Sequence, residues 1–525
     1  MSPFRLSWRL SWRGAVIWSA VLAITLFAGA EAYRSAYRDE TARRLLVATL
    51  GHSRALEVLY GPPLRLDTVG GFAAWRYGTA VYVVAGLWTL LTVTRLLRGE
   101  EEQGRAEPLL TGRVRSYQLL AAQLAAIGVG VAVLAFGTAI GCLAAGLPLA
   151  GSALYGAGCA GVAAVFAGLS AVASQLWDSR RRAAGVVGAV LGAAFILRAF
   201  GDGASHAHWL VWVSPIGWGQ RLYPFVYDRT APLLLLYGVA ALLVGWSFWL
   251  RSLRDAGAGV ITSSTRERRM RPVRTAAALD WRLARGGLVA WLVGVAAYAV
   301  LLGYMAGDIA DFARKDRSVN AMFARLGGSS VVTVNGFLGL TFSLLAVVLA
   351  VYAGSQVSSG RTLESEGRVE PLVAGGVSRV RWLATRAGLG ALFTIVLAVC
   401  AGVFAWVGTQ WSGVGAHLTS AVGGALNTVP VALLFGGLTV AAFGVVPRLT
   451  AAVAFGAVAV TYLVQFIGAI AKAPSWVLDL SPFNHVAAVP FHPVNLTATL
   501  VMLAGALALF GFGTLAFRRR DLAEL

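Results

Sequence analysis

EEQGRAEPLL occupies residues 101–110, and ESEGRVEPLV occupies residues 364–373, 263 positions later. Each copy reads acids, Gly-Arg, a variable residue, Glu-Pro and an apolar pair. Outward from it, other pairs recur at nearly the same spacing. Trp8-Arg9-Leu10 with Gly14 and Trp18 matches Trp281-Arg282-Leu283 with Gly287 and Trp291. Gly71-Phe72 matches Gly336-Phe337, and Gly168-Leu169-Ser170 matches Gly437-Leu438-Thr439. Ser214-Pro215 matches Ser481-Pro482, and Arg254-Asp255 matches Arg520-Asp521. The offsets stay between 263 and 273 and the pairs are collinear, which implies an internal duplication.

The chain between these landmarks is apolar. Its 525 residues are 58% hydrophobic and 13% charged, with mean hydropathy +0.70; a soluble domain carries about 25% charge. Apolar segments at 14–33, 72–94, 118–145, 153–176, 183–200, 231–250, 286–306, 331–356, 384–409, 417–446, 450–471 and 494–517 are each near the length that spans a bilayer. The expected fold is an all-α polytopic membrane protein of twelve transmembrane helices. Six spans per half insert both halves in the same sense, as two parallel repeats about a pseudo-twofold along the membrane normal. The expected halves are 1–250 and 276–525. They are joined by a basic linker, 251–275, lying against anionic headgroups.

A net charge of +20 raises nucleic acid as a partner, but a basic soluble face does not fit this hydropathy. The basic residues instead set orientation: 29 fall in alternate segments with both termini inside and 13 on the other side. The outer loop 34–71 runs against the trend with six arginines, diluted by Asp39, Glu40, Glu57 and Asp67. Both termini are therefore expected on the cytoplasmic side of the inner membrane. Arg5, Arg9, Arg13 and Ala30-Glu31-Ala32 resemble a cleavable leader, but the internal counterpart of this segment cannot be cleaved, so the span is expected to remain. In FRLSWRLSWRG (4–14), Trp8 and Trp12 share one helical face and Arg5, Arg9 and Arg13 another. A helix over 3–13 is expected in the inner interface before the chain turns into the bilayer. Cys142, Cys159 and Cys400 lie in apolar spans without CxxC spacing and read as packing residues. His206 and His208 are a close pair, but no carboxylates complete a metal site.

Both decapeptides fall in the cytoplasmic loop after the second span of their half. Gly104 and Gly367 permit a sharp turn. Glu107-Pro108 and Glu370-Pro371 are expected to open the helix that re-enters as span 3 or 9. Persistence of the motif in both halves points to a partner bound twice. A six-span unit with an interfacial helix and an E-x-G-(R/T)-x-E-x-L loop between spans 2 and 3 resembles the type 2 (ABC-2) exporter permeases. The fused twelve-span form, together with ALEVLYGPPLRLDTVGGFAAWR (55–76), resembles actinobacterial permeases that export polyketide antibiotics. The resemblance implies that this loop couples the permease to a separate P-loop ATPase, with two ATPase copies per chain. The contacts would be Gly104, Arg105, Glu107, Pro108, Gly367, Arg368, Glu370 and Pro371.

The chain contains no GxxxxGK(S/T), so it cannot bind ATP through a P-loop. ATP and magnesium are expected on the partner, with no cofactor and no catalytic residue in this chain. An ion-coupled carrier of the major-facilitator kind is the alternative. It needs ionisable groups within the membrane, whereas Glu31, Asp178, Asp308 and Asp479 sit at span edges or in loops. A permease-like antibiotic sensor is a further reading. The resemblance places the path between spans 2, 5, 8 and 11, where Arg76, Arg198, Asn335, Thr341, Tyr462 and Gln465 are the polar candidates; Arg198 reads equally as snorkelling to the outer surface. The remaining walls suit a hydrophobic or amphipathic cargo. The spacings Gly137-x3-Gly141, Gly188-x3-Gly192 and Gly303-x3-Gly307 allow close helix packing. Two outer segments, 209–225 and 476–491, are aromatic and broken by proline, and are expected to cap the outer mouth.

Overall fold

The computed structural model describes residues 2–51, 54–111, 114–203, 207–254, 259–261, 275–315, 333–365, 367–471 and 474–520. The protein is an all-α polytopic membrane protein, and its described residues include twelve helices long and apolar enough to cross a bilayer. They are α1 (Pro3–Ala36), α2 (Val69–Glu102), α3 (Ser116–Ala144), α4 (Leu149–Leu176), α5 (Arg180–Gly203) and α6 (Ala231–Ser252). Then follow α7 (Ala277–Gly307), α8 (Val334–Ser365), α9 (Arg379–Trp411), α10 (Leu418–Val445), α11 (Pro447–Gln465) and α12 (Leu496–Arg519). Every expected span lies on one of these.

The chain forms two compact units, Met1–Arg268 and Arg269–Leu525. In the first, α1 packs on α3, α2 on α4 and α4 on α6; in the second, α7 packs on α9, α8 on α10 and α10 on α12. Lipid tails are as apolar as leucine, so helices in a bilayer associate through close packing, and small residues carry the tightest crossings. A side chain at Gly141 would lie 2.6 Å from the Ala23 Cα, and one at Gly137 would overlap Ser19, so α1 and α3 meet backbone to backbone. At Gly303 a side chain would overlap the Ala405 carbonyl, which makes the same kind of crossing between α7 and α9. The third expected pair makes no close crossing: a side chain at Gly188 would meet only Leu90, at 3.9 Å, and Gly192 has nothing within 4 Å.

One expectation is corrected. Helix α1 is unbroken from Pro3 to Ala36, so no turn separates an interfacial segment at 3–13 from the first span. Nothing in 4–14 breaks a helix, and the Ser7 and Ser11 hydroxyls donate to carbonyls four residues back. The 34–71 loop is largely helical, with Glu40–Leu50 capped by Asp39, then Arg54–Tyr60. Most of the linker 251–275 lies outside the described residues, as do His206 and Glu366. In its described part the Val260 and Ile261 N–H groups donate to the Gln175 and Leu176 carbonyls at 3.1 and 2.9 Å. The two outer segments differ from each other. Pro215–Gly219 is buried, held by Tyr82 Oη donating to the Gly219 carbonyl at 3.0 Å, whereas Trp476 is 67% exposed.

Gly141→Val should lower the thermal midpoint in detergent by an amount corresponding to about 1–3 kcal/mol of overpacking. Gly192→Val, on the open face, should leave it unchanged. The two variants are read side by side by fluorescence-detected size-exclusion melts.

Candidate functional site

The two decapeptides fold alike. Helix α2 ends at Gly104, where φ is +68°, and α8 gives way to Gly367, where φ is +67°. The N–H of each glycine donates three residues back, to Glu101 at 3.1 Å and to Glu364 at 3.0 Å. The following arginine N–H reaches five residues back, to Glu100 and to Leu363, at 3.0 Å each. This is the Schellman cap, and the glycine occupies the left-handed position that a Cβ would strain. Glu-Pro then begins a separate short helix, Glu107–Leu110 or Glu370–Ala374, and not the next span as expected. In the second copy that helix is closed by Gly376 at φ +88°, and α9 starts afresh at Arg379.

The variable residue of the motif is the anchor: Ala106 and Val369 are buried, and Val369 joins an apolar cluster with Trp382, Phe443 and Phe517. Around them Arg105, Glu107 and Pro108 are exposed, as are Arg368, Glu370 and Pro371. Arg105 is held by Glu100 at 2.6 Å, and that hydrogen bond pushes its pKa further above the ordinary value. Each loop thus presents a cation, an anion and a proline on a fixed turn.

What holds the turn was not read from the sequence. The first acid of each decapeptide points inward. Glu101, 10% exposed, meets Arg98 at 2.9 Å, Arg251 at 3.3 Å and Arg254 at 2.8 Å. Glu364, 2% exposed, meets Arg361 at 3.5 Å and Arg520 at 2.6 Å. Arg254 and Arg520 stand just past the last helix of their units, so each clamp ties the loop to the sixth helix of its unit. Burial pulls the Arg254 guanidinium below its ordinary pKa, and the Glu101 carboxylate opposes this. The matched pair Arg254-Asp255 and Arg520-Asp521 was the sequence signal. In the first unit further bonds reach α5. Arg98 donates to the Asp178 carbonyl at 2.9 and 2.6 Å, and the Arg180 N–H donates to Glu102 at 2.7 Å. A π turn at Arg95–Gly99 directs Arg98 inward. In the second unit Arg379 donates to the Arg520 carbonyl at 2.7 Å.

The candidate path residues fall into one group in each unit, Arg76 and Arg198 in the first and Asn335, Thr341, Tyr462 and Gln465 in the second. Arg198 is 0% exposed: it donates to the Leu59 carbonyl at 3.0 Å and lies 3.6 Å from Asp202, which also meets Arg221 at 3.3 Å. It faces no open path and does not reach the surface. Arg76 is exposed, with its guanidinium 4.2 Å over the Tyr60 ring. Asn335 is exposed at the start of α8, while Thr341 is buried. Tyr462 stands edge-on to Phe483 at 6.0 Å, and Gln465 accepts from the Ser481 hydroxyl at 3.5 Å. The first pair therefore converges on the helix Arg54–Tyr60, and Tyr462 and Gln465 converge on residues 481–483. As expected, the buried acids among the described residues sit near span ends and not at span centres. Asp202, near the end of α5, and Asp280, early in α7, are buried, and Asp280 meets Arg386 at 3.3 Å.

The family described as the C-terminal domain of the multidrug efflux system permease Rv1217c matches residues 1–250 and 273–518. The multidrug efflux system permease protein Rv1217c of Mycobacterium tuberculosis is 35% identical over 507 residues, which cover 96% of this chain and 91% of the relative. The chain belongs to this efflux permease family. In this member of the family, the motif divides into an exposed tip and a buried clamp, and substitution separates the two. Glu101→Ala leaves three arginines around a lost carboxylate and should destabilise the protein by roughly 3–5 kcal/mol. Glu107→Ala, on the exposed tip, should stay within about 0.5 kcal/mol of wild type. Thermal melts in detergent, with limited proteolysis of the loop, compare them.

Proposed function

We propose that this chain is the membrane-spanning permease of an ATP-driven exporter that moves hydrophobic or amphipathic, drug-like compounds out of the cytoplasm. ATP hydrolysis belongs to a separate P-loop ATPase, two copies of which dock on the loops at 100–111 and 364–376. The two units act as parallel six-helix repeats, and both termini and both loops lie on the cytoplasmic side of the inner membrane. The reading is supported by the membership of an efflux permease family, by the charge bias of the loops and by the absence of a P-loop sequence.

The single observation that carries it is the common build of the two loops. Each has the same cap at Gly104 or Gly367 and the same inward carboxylate gripped by an arginine at the end of the last helix of its unit. Each also exposes the same Arg, Glu and Pro. A solvated loop needs no buried ion pair beneath it. A loop that transmits force does, because a push on the tip must move helices and not bend the turn. Through the clamp, displacement of the first loop pulls on α2, α5 and α6. Displacement of the second pulls on α8, α9 and α12. When ATP draws the two ATPases together, each unit moves as a body and the path opens to the opposite side.

Charge reversal at both tips, Glu107→Lys with Glu370→Lys, should uncouple the machine. Efflux of a hydrophobic fluorescent dye from cells that also express the ATPase should fall at least about tenfold, equivalent to 1.4 kcal/mol or more of lost coupling. The permease should remain folded and at its normal level in the membrane. Unchanged efflux would contradict the assignment of these loops.

A further inference from the structure

A second charged feature lies beside the first loop and takes no part in the clamp. The start of α1, the cytoplasm-proximal end of α2 and the start of α5 enclose a groove of about 850 Å³ within the first unit. Arg9, Arg13 and Arg95 are exposed along it and Arg180 is half-buried; Trp88, 5% exposed, forms its floor and Trp18 its wall. The acids around it are engaged elsewhere. Glu100 holds Arg105, Glu101 takes Arg98, Arg251 and Arg254, and Asp178 holds Arg182. Glu102 accepts from the Arg180 backbone N–H, not from its side chain. Among the described residues, none of the four groove guanidiniums makes an ion pair with a carboxylate. Four like charges around one cavity repel, and a bound anion would relieve that repulsion.

The groove is also apolar along one side. Val16 and Ile17 on α1 and Leu87 and Leu91 on α2 are exposed next to it, toward the middle of the spans. Tryptophan is enriched at the headgroup boundary. Guanidiniums bind phosphate through paired N–H groups, and a basic pocket between transmembrane helices at the cytoplasmic face suits a phospholipid headgroup. Four guanidiniums match two phosphates. In the second unit, the groove between α7 and α8 is lined by Ala290, Trp291, Gly294, Val295, Tyr298 and Val348, with no charge. That groove begins deeper along its helix than the cationic one does.

We propose that this groove is a binding site for one anionic phospholipid, with a diphosphate headgroup of the diphosphatidylglycerol type preferred. Its phosphates lie between Arg9, Arg13, Arg95 and Arg180, and its acyl chains lie along α1 and α2. The assignment to the inner leaflet rests on the orientation proposed above; the binding chemistry does not.

The test is native mass spectrometry of the delipidated chain, alone in detergent, titrated with diphosphatidylglycerol, phosphatidylglycerol or phosphatidylcholine. One diphosphatidylglycerol per chain should be retained at least about tenfold more tightly than phosphatidylcholine. Arg95→Gln with Arg180→Gln should lose about tenfold in that affinity, whereas Arg5→Gln, exposed on α1 outside the groove, should lose none. If the double variant does not fold, Arg9→Lys with Arg13→Lys keeps the charge, removes the paired donors and should still weaken binding severalfold. Equal retention of the two lipids, or undiminished binding by the folded variant, would overturn the proposal. So would displacement of the lipid by millimolar inorganic phosphate, which would make free phosphate the ligand. Because the ATPase is absent, the result is independent of the exporter reading.

Discussion

A carboxylate buried under a charged loop is the constraint on which the loop-bearing ends of both units depend. Glu101 and Glu364 are each removed from water, and each is compensated by arginines from a helix end far away in sequence. Removing a buried ion pair from water is costly, and replacing it with apolar groups of like volume is often no less stable. Its value here is therefore geometric. With the carboxylate fixed, the Schellman turn at the adjacent glycine has one orientation, and the one-turn helix after it projects in one direction. Without it, the glycine at positive φ would be a hinge.

Much of the fold was legible because hydropathy is local. Twelve apolar segments became twelve helices, and Gly104 and Gly367 took the left-handed conformation that glycine alone adopts without strain. The exposed members of the decapeptide were also legible, since two copies of one motif show which residues recur. The clamp was not. In the sequence Glu101 and Glu107 look alike, two acids near a turn; only the fold brings Arg254 to one and leaves the other in water. The same reason hid Arg198. A lone arginine in an apolar span reads as snorkelling or path lining, and its true partners, Leu59 and Asp202, depend on how the 34–71 segment folds back. The continuity of α1 was missed for a different reason. An amphipathic pattern says which face is polar and says nothing about whether the axis bends.

The two units share their packing order but not their details. The first carries a π turn before its loop, a buried proline-aromatic segment at the outer end and a cationic groove beside α1. The second has an uninterrupted α8, a more exposed outer segment and an apolar groove. The two decapeptide loops share the same cap and the same inward carboxylate, so the likeness of the units is carried there. Elsewhere each unit is free to take on its own contacts with lipid or cargo.

The central claim is that one chain provides two docking loops, and stoichiometry tests it most directly. The tagged permease would be isolated in mild detergent after crosslinking in native membranes, and the masses of the complexes measured. The account predicts two copies of a P-loop ATPase per permease chain. A single copy, or none, would contradict it.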